Sequence, residues 1–152
     1  MKPQVAQNYL RTRVLTATPE QLQLMLYDGA IRFCEQARPA LEKKDWQTSY
    51  NMLSKAQRII TELTTSLRHD VHPEMCARLA GLYNYVFRLL INASVKHTIP
   101  SLDEALNILK FQRETWMMLM DQLSKQKAAS VARNMDIPAP NARMEASISL
   151  QG

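Results

Sequence analysis

Glycine and cysteine are scarce in this chain, and their scarcity removes several kinds of site. Only three of the 152 residues are glycine, Gly29, Gly81 and Gly152, so no glycine-rich loop is available to cradle a phosphate group. The two cysteines, Cys34 and Cys76, are far apart and form neither a C-x-x-C pair nor a metal-ligand spacing. We interpret both cysteines as small buried apolar side chains, and we expect no metal and no cofactor.

Catalytic motifs are absent as well. The sequence has no G-x-S-x-G nucleophile turn and no H-E-x-x-H zinc helix. It also lacks the Glu-x-x-His pairs that di-metal helical bundles direct inward. His97 is a candidate phosphotransfer histidine, but its position at a predicted helix end favours a role as a helix cap or a contact with solvent. The sequence therefore predicts no catalytic residues and a protein that is not an enzyme.

Long apolar runs and charge blocks are missing too. No run of about 18 uncharged apolar residues occurs, so we expect no membrane span. The first residues, MKPQVAQNYLRTR, lack the apolar core of a secretory signal, and we expect a cytoplasmic protein of the cytosol. The net charge of +5 comes from scattered lysines and arginines, which favours solvated helix surfaces over a nucleic-acid site.

The apolar residues recur with helical periodicity in four segments joined by short loops. This pattern predicts an all-α protein, an antiparallel up-and-down four-helix bundle. We place the bundle at residues 18–127, between an N-terminal arm at 1–17 and a disordered C-terminal tail at 128–152, where periodicity is lost. The four helices are expected at about 19–42, 46–68, 74–96 and 102–127.

Three helix starts carry capping signals. Thr18 and Gln21 form an S/T-x-x-Q capping box, and Asp45 is a suitable N-cap for the next helix. Ser101 and Glu104 form a second candidate capping box for the fourth helix.

Within the helices, a proline and a set of large side chains lead to further expectations. Pro39 predicts a kink or an early stop near the end of the first helix, because it removes a hydrogen bond and clashes with the preceding turn. The helical periodicity places several large side chains inward, among them Trp46, Tyr50, Met75, Leu119 and Leu123.

Two of these helices are apolar on a second side. On the first helix the additional line is Leu24, Tyr27 and Ile31; on the fourth it is Ile108, Phe111 and Met118. A helix that is apolar nearly all round is either covered on both sides or exposes a surface for a partner, and both alternatives stay open for the first helix. The arm adds four large apolar residues on what we expect to be one side of a short helix that packs on the bundle: Tyr9, Leu10, Val14 and Leu15.

The same region carries a family resemblance. The run V-L-T-A-T-P-E-Q-L-x-L-M-L-Y-D-G-A-I-R-F, residues 14–33, closely resembles the opening of the FliS family of flagellin-specific export chaperones. Weaker resemblance continues at residues 55–63, 82–85 and 113–116, so that it covers about residues 9–126.

The resemblance implies a fold and a function. The fold is again a four-helix bundle, and the implied partner is flagellin, whose C-terminal segment is disordered until it joins the filament. A member of this family binds that segment, prevents premature polymerisation and delivers the client to the export apparatus at the membrane, a second partner. The arm then resembles a displaceable lid over the groove. We expect the ten residues of the arm and of the two additional lines to contact the client.

Two alternatives compete with this hypothesis. The first is a regulatory helical bundle that binds nucleic acid or another protein; binding to nucleic acid requires lysines and arginines clustered on one face, which the scattered charges disfavour. A homodimer that buries the apolar lines against a second copy also remains open.

Overall fold

The computed structural model describes residues 3–136, and its regular structure over that range is helical. Five helices follow one another: α1 (Pro3–Thr16), α2 (Pro19–Glu42), α3 (Trp46–Thr65), α4 (Pro73–Lys96) and α5 (Ile99–Asp136). Helices α2 to α5 are the four predicted from periodicity, and α1 forms within the predicted arm. The all-α bundle class is therefore confirmed.

Local capping chemistry fixes the starts of α2 and α3 as the sequence predicts. The backbone amide of Gln21 donates to the Thr18 hydroxyl at 3.2 Å, and the Gln21 side chain accepts from the Thr18 amide at 3.0 Å. This is a complete capping box, and it satisfies two backbone donors that a helix start leaves unpaired. At α3 the Asp45 carboxylate accepts from the Thr48 amide at 3.2 Å.

The boundaries around the prolines differ from the expectations. Helix α5 begins at Ile99, because Pro100 falls in the first turn, where a backbone N–H has no partner in any case. Ser101 and Glu104 therefore lie inside the helix and do not form a capping box, and the Glu104 carboxylate instead accepts from the Tyr85 hydroxyl. Helix α2 passes through Pro39 to Glu42, so the early stop does not occur.

The C-terminal boundary also moves. Helix α5 continues to Asp136, so residues 128–136, expected in the tail, are helical. The rest of the expected tail, residues 137–152, lies outside the described residues.

The chain divides into two compact units, Met1–Thr115 and Trp116–Gly152. In the first unit α3 packs against both α2 and α4. The ion pairs Arg38–Asp103 and Asp28–Arg113 show that α2 runs antiparallel to the first part of α5. Short connections at residues 43–45, 66–72 and 97–98 make consecutive helices antiparallel neighbours. In the second unit, the described residues are the remainder of α5, residues 116–136.

The core of the first unit is formed by large side chains from four helices. Those that are almost completely excluded from solvent are Cys34, Leu53, Ile60, Leu63, Tyr83, Val86, Leu90, Leu102 and Leu109. Where one helix contributes several of these side chains, they lie three, four or seven residues apart, which is the periodicity from which the bundle was predicted.

Several side chains expected in the core are exposed instead: Trp46, Tyr50, Met75, Leu119 and Leu123. At the start of α3, Ser49 and Leu53 occupy the inward positions, and Tyr50 points about 60° away from Leu53. Leu119 and Leu123 lie in the second unit, on the part of α5 that follows residue 115.

Candidate functional site

The second apolar line of α2 belongs mostly to the core. Tyr27 and Ile31 are buried, and only Leu24 is partly accessible. The hydroxyl groups of Tyr27 and Tyr83 lie 2.5 Å apart, and the Gln23 side-chain amide donates to both, at 3.3 and 3.5 Å. The structure encloses the side chains of Tyr27 and Ile31, contrary to the expectation that they face a partner, and Tyr83 of α4 supplies the polar partner that the Tyr27 hydroxyl needs.

The Tyr83 phenol keeps its proton. Burial, and then the hydrogen bond shared with Tyr27, raises the pKa of the Tyr83 phenol far above its usual value. The Tyr83 hydroxyl therefore stays neutral, and its bond with Tyr27 is a polar link between α2 and α4.

The second apolar line of α5 is accessible. The side chain of Phe111 is 68% exposed, and Ile108 one turn earlier is partly exposed. In the second unit, Met118 is 62% exposed. Since Ile108 and Phe111 are spaced as neighbours on a helix surface, they form an accessible apolar face on the outside of α5. We call these two residues the α5 face.

Polar contacts border the α5 face on both sides. Toward α2, Lys110 pairs with Glu35 at 3.3 Å, and Arg113 pairs with Asp28. Toward α4, Glu104 accepts the hydrogen bond from Tyr85. An apolar patch with a polar rim is typical of a protein-binding surface.

The seam between α2 and α5 is itself polar. The Arg38 guanidinium donates to both Asp103 oxygens, at 2.8 and 3.1 Å, and this bond holds the pKa of the Asp103 carboxyl below its usual value. An open cleft of about 530 Å³ lies here, lined largely by charged and polar side chains that include Glu35, Asn107 and Lys110. The additional lines of the two helices therefore do not meet in one apolar groove, and the apolar surface lies on the outside of α5.

The arm does not pack on the bundle as expected. Every described residue of α1 is exposed, and the side chains of Tyr9, Leu10, Val14 and Leu15 are between 43% and 77% exposed. At about 100° per residue these four side chains point to different sides of the helix, so α1 has no single apolar face to bury. All four remain accessible to a partner.

A cluster that the sequence analysis missed lies where α3 begins and α4 ends. The rings of Trp46 and His97 stack with their centroids 3.8 Å apart and their planes inclined by 15°. The sequence feature that could have revealed this cluster is the pair Trp46 and Tyr50, two aromatic residues one helical turn apart. The helical periodicity instead predicted both side chains in the core.

The two cysteines are both buried and unbonded. Burial, and then the neighbouring charge of Glu35, raises the pKa of the Cys34 thiol to about 12, so this side chain is a neutral core group. Over residues 3–136 no group of three or more histidine, cysteine and acidic side chains is arranged to hold a metal ion. In the same range, no helix has an apolar stretch long enough to span a bilayer.

Comparison with known proteins gives a consistent result. Residues 1–123 match the family model of the flagellar protein FliS. The chain is 33% identical to the flagellar secretion chaperone FliS of Bacillus subtilis over 122 residues, which cover 80% of this chain and 90% of that one. It is 32% identical to the chaperone of the same name from Salmonella typhimurium over 124 residues, which cover 81% and 92% of the two chains.

A solved structure shares the fold. The crystal structure of a bacterial flagellar chaperone superposes with a TM-score of 0.65 at 20% identity, covering 78% of this chain and 97% of that one. The family match ends at residue 123, whereas helix α5 continues to Asp136.

Proposed function

The chain belongs to the FliS family of flagellar secretion chaperones, which are not enzymes, and from this premise we propose that its client is flagellin. In this proposal the chaperone binds the C-terminal segment of flagellin in the cytosol. By covering that segment it prevents premature polymerisation, and it delivers the client to the export apparatus at the membrane.

The exposure of Phe111 is the observation that supports a binding role for the α5 face. A phenylalanine that is 68% exposed in the middle of a helix contributes little to the stability of its own bundle. Covering such a side chain with a partner is worth about 1.5–3 kcal/mol. Ile108 beside it supplies further apolar area on the α5 face. Met118, which is 62% exposed in the second unit, is proposed as a separate client contact.

The mechanism follows from the state of the client. A disordered segment places its apolar side chains on exposed apolar residues and becomes ordered as it binds. The ordering entropy opposes binding, so the affinity stays moderate and release at the export apparatus remains feasible. Methionine suits such a surface, because its flexible thioether adapts to irregular partners.

The arm enters the proposal as a lid. Its exposed apolar residues, Tyr9, Leu10, Val14 and Leu15, compete with the client for the α5 face and are displaced when the client binds. Leu24, the one accessible member of the additional line on α2, is a further client contact.

The test is isothermal titration calorimetry with a peptide that comprises the C-terminal segment of flagellin from the same organism. Phe111→Asp should weaken binding about tenfold or more, because a central apolar contact is replaced by a charge. Val71→Asp is the matched control, since Val71 is also exposed, at 53%, but lies in the loop between α3 and α4.

Two results would refute the proposal. The first is a wild-type chain that does not bind the peptide. The second is unchanged affinity for Phe111→Asp, which would exclude the α5 face, together with unchanged affinity for Met118→Asp, which would exclude Met118 as a client contact. Light scattering on the free chain tests the competing occupant, a second copy of this chain, which would appear as a dimer that Phe111→Asp dissociates.

A further inference from the structure

The cluster at the start of α3 and the end of α4 is an exposed surface with a fixed shape. Its aromatic part consists of Trp46, stacked on His97, and Tyr50 one turn further along α3. Trp46 is 40% and Tyr50 is 61% exposed. We call these three residues, together with the lysines described next, the aromatic corner.

Two features of the backbone hold this corner in place. His97 ends α4 in the left-handed conformation, with φ of 56°, and Lys44 in the connection before α3 has φ of 61°. Asp45 caps α3 through the Thr48 amide, and hydrogen bonding to Thr48, first to its side chain and then to this amide, lowers the pKa of the Asp45 carboxyl. The corner is therefore preorganised, which reduces the entropy that a partner must lose on binding.

The charge of the corner is positive. Lys43 and Lys44 precede Trp46, and Lys96 precedes His97; all three are exposed. Among the ion pairs of the described residues, none involves these lysines. Asp45 in the same segment keeps its negative charge while it caps α3, so the three lysines outnumber the one carboxylate there.

We propose that the aromatic corner is a second protein-binding site, which takes an acidic segment of a partner protein carrying an aromatic or aliphatic anchor. The anchor packs on Trp46 and Tyr50, two residue types that are enriched among the dominant contacts of interfaces. The carboxylates of the partner pair with the three lysines, which speeds encounter and selects acidic partners.

A protein segment fits this surface better than a nucleic acid. A single strand needs a basic track along its backbone and free aromatic faces on which bases stack. Here one face of Trp46 is occupied by His97. The lysines are also confined to one corner, beside the Arg38–Glu42 ion pair at the end of α2.

The site is distinct from the α5 face. Phe111 lies twelve residues after Ile99 on α5, or about 18 Å along the helix from the end that adjoins the corner. The proposal therefore does not depend on the identity of the client.

The test follows the fluorescence of Trp46 in the full-length chain. The sequence contains two tryptophans, Trp46 and Trp116, so the variant Trp116→Phe leaves Trp46 as the sole reporter. The probes are a random copolymer of glutamate and tyrosine, polyglutamate, and an oligothymidylate. We expect the copolymer to change the Trp46 fluorescence in a saturable way, with binding that weakens as salt is added. Polyglutamate, which lacks the aromatic anchor, should give a smaller change.

Variants separate the charge from the anchor. The triple change Lys43→Gln, Lys44→Gln and Lys96→Gln should weaken copolymer binding about tenfold, because three exposed charge pairs are lost. Tyr50→Ala should abolish the preference for the copolymer over polyglutamate. Lys125→Gln with Lys127→Gln is the control, since both lysines are exposed on α5 far along the sequence, and it should bind as the parent does.

Three results would overturn the proposal: no response of the parent to the copolymer at low salt, equal affinity of the triple variant, or tighter binding of the oligothymidylate than of the copolymer. Each variant is first checked by its thermal melting curve, and since all the substituted lysines are exposed, we expect unchanged folding.

Discussion

The hydroxyl oxygens of Tyr27 and Tyr83 lie 2.5 Å apart and join α2 to α4 inside the bundle. This bond and the burial of Ile31 place most of the second apolar line of α2 inside the bundle. Client binding is consequently proposed for the outside of α5, where Phe111 is exposed.

Removing one hydroxyl of the tyrosine pair should lower stability without affecting the client. In Tyr27→Phe, the buried Tyr83 hydroxyl keeps only Gln23 as a partner, at 3.5 Å. We expect a loss of about 1 kcal/mol and a fall in Tm of about 2–4 °C. Tyr50→Phe is the control, because the Tyr50 side chain is exposed and its hydroxyl has no buried partner to lose. Scanning calorimetry measures both, and an unchanged Tm in Tyr27→Phe would contradict the structural role of the bond.

A charge placed at the buried Ile31 of α2 should strongly destabilise the protein. Ile31→Asp puts a carboxylate at a site that is only 8% exposed, and we expect a loss of about 3 kcal/mol or more. Phe111→Asp changes an exposed site and should stay within about 1 kcal/mol of the parent. Urea titration followed by circular dichroism separates the two, and a stable Ile31→Asp would show that this side of α2 is open in solution.

The two helical glycines should respond differently to alanine. At Gly81 an added Cβ meets nothing within 4 Å, so Gly81→Ala should stabilise the chain by about 0.5–1 kcal/mol through helix propensity. At Gly29 the Cβ would lie 3.0 Å from Cδ1 of Ile59, which must shift, and most of that gain should be lost. Chemical denaturation gives the free energy of unfolding of both variants. A larger gain in stability for Gly29→Ala than for Gly81→Ala would contradict the prediction.

Cys34 should resist alkylation in the folded chain. Its pKa is raised to about 12, so the reactive thiolate is scarce at neutral pH and increases only as the pH approaches that value. In the variant Cys76→Ala, iodoacetamide should label Cys34 slowly at pH 8 and rapidly once urea unfolds the protein. Mass spectrometry gives the labelled fraction, and fast labelling of the folded variant would show that Cys34 reaches solvent.

Deleting the arm tests its proposed role as a lid. Without residues 1–17, the client no longer competes with α1 for the α5 face. The affinity of the chaperone for the flagellin peptide should therefore rise about threefold or more. The stability of the bundle should change little, because no residue of α1 is buried. A fall in affinity would instead make the arm a client contact and refute the lid.

Much of the local structure could be predicted from the sequence, because it depends on neighbours along the chain. The capping box of Thr18 and Gln21 and the N-cap Asp45 need only residues three positions apart, and both occur as predicted. The resemblance of residues 14–33 to the FliS family is also a property of the sequence alone, and the family match confirms it.

Other features depend on which helix covers which. Periodicity shows that α2 is apolar on two sides, but only the packed structure places Tyr83 over Tyr27 and leaves Phe111 outside. The same holds for Trp46 and Tyr50, whose spacing fits a core and whose exposure depends on Ser49 and Leu53 occupying the inward positions. A repeat along one helix records the direction of each side chain, whereas burial depends on the distance to another helix, and that distance is set only when the bundle assembles.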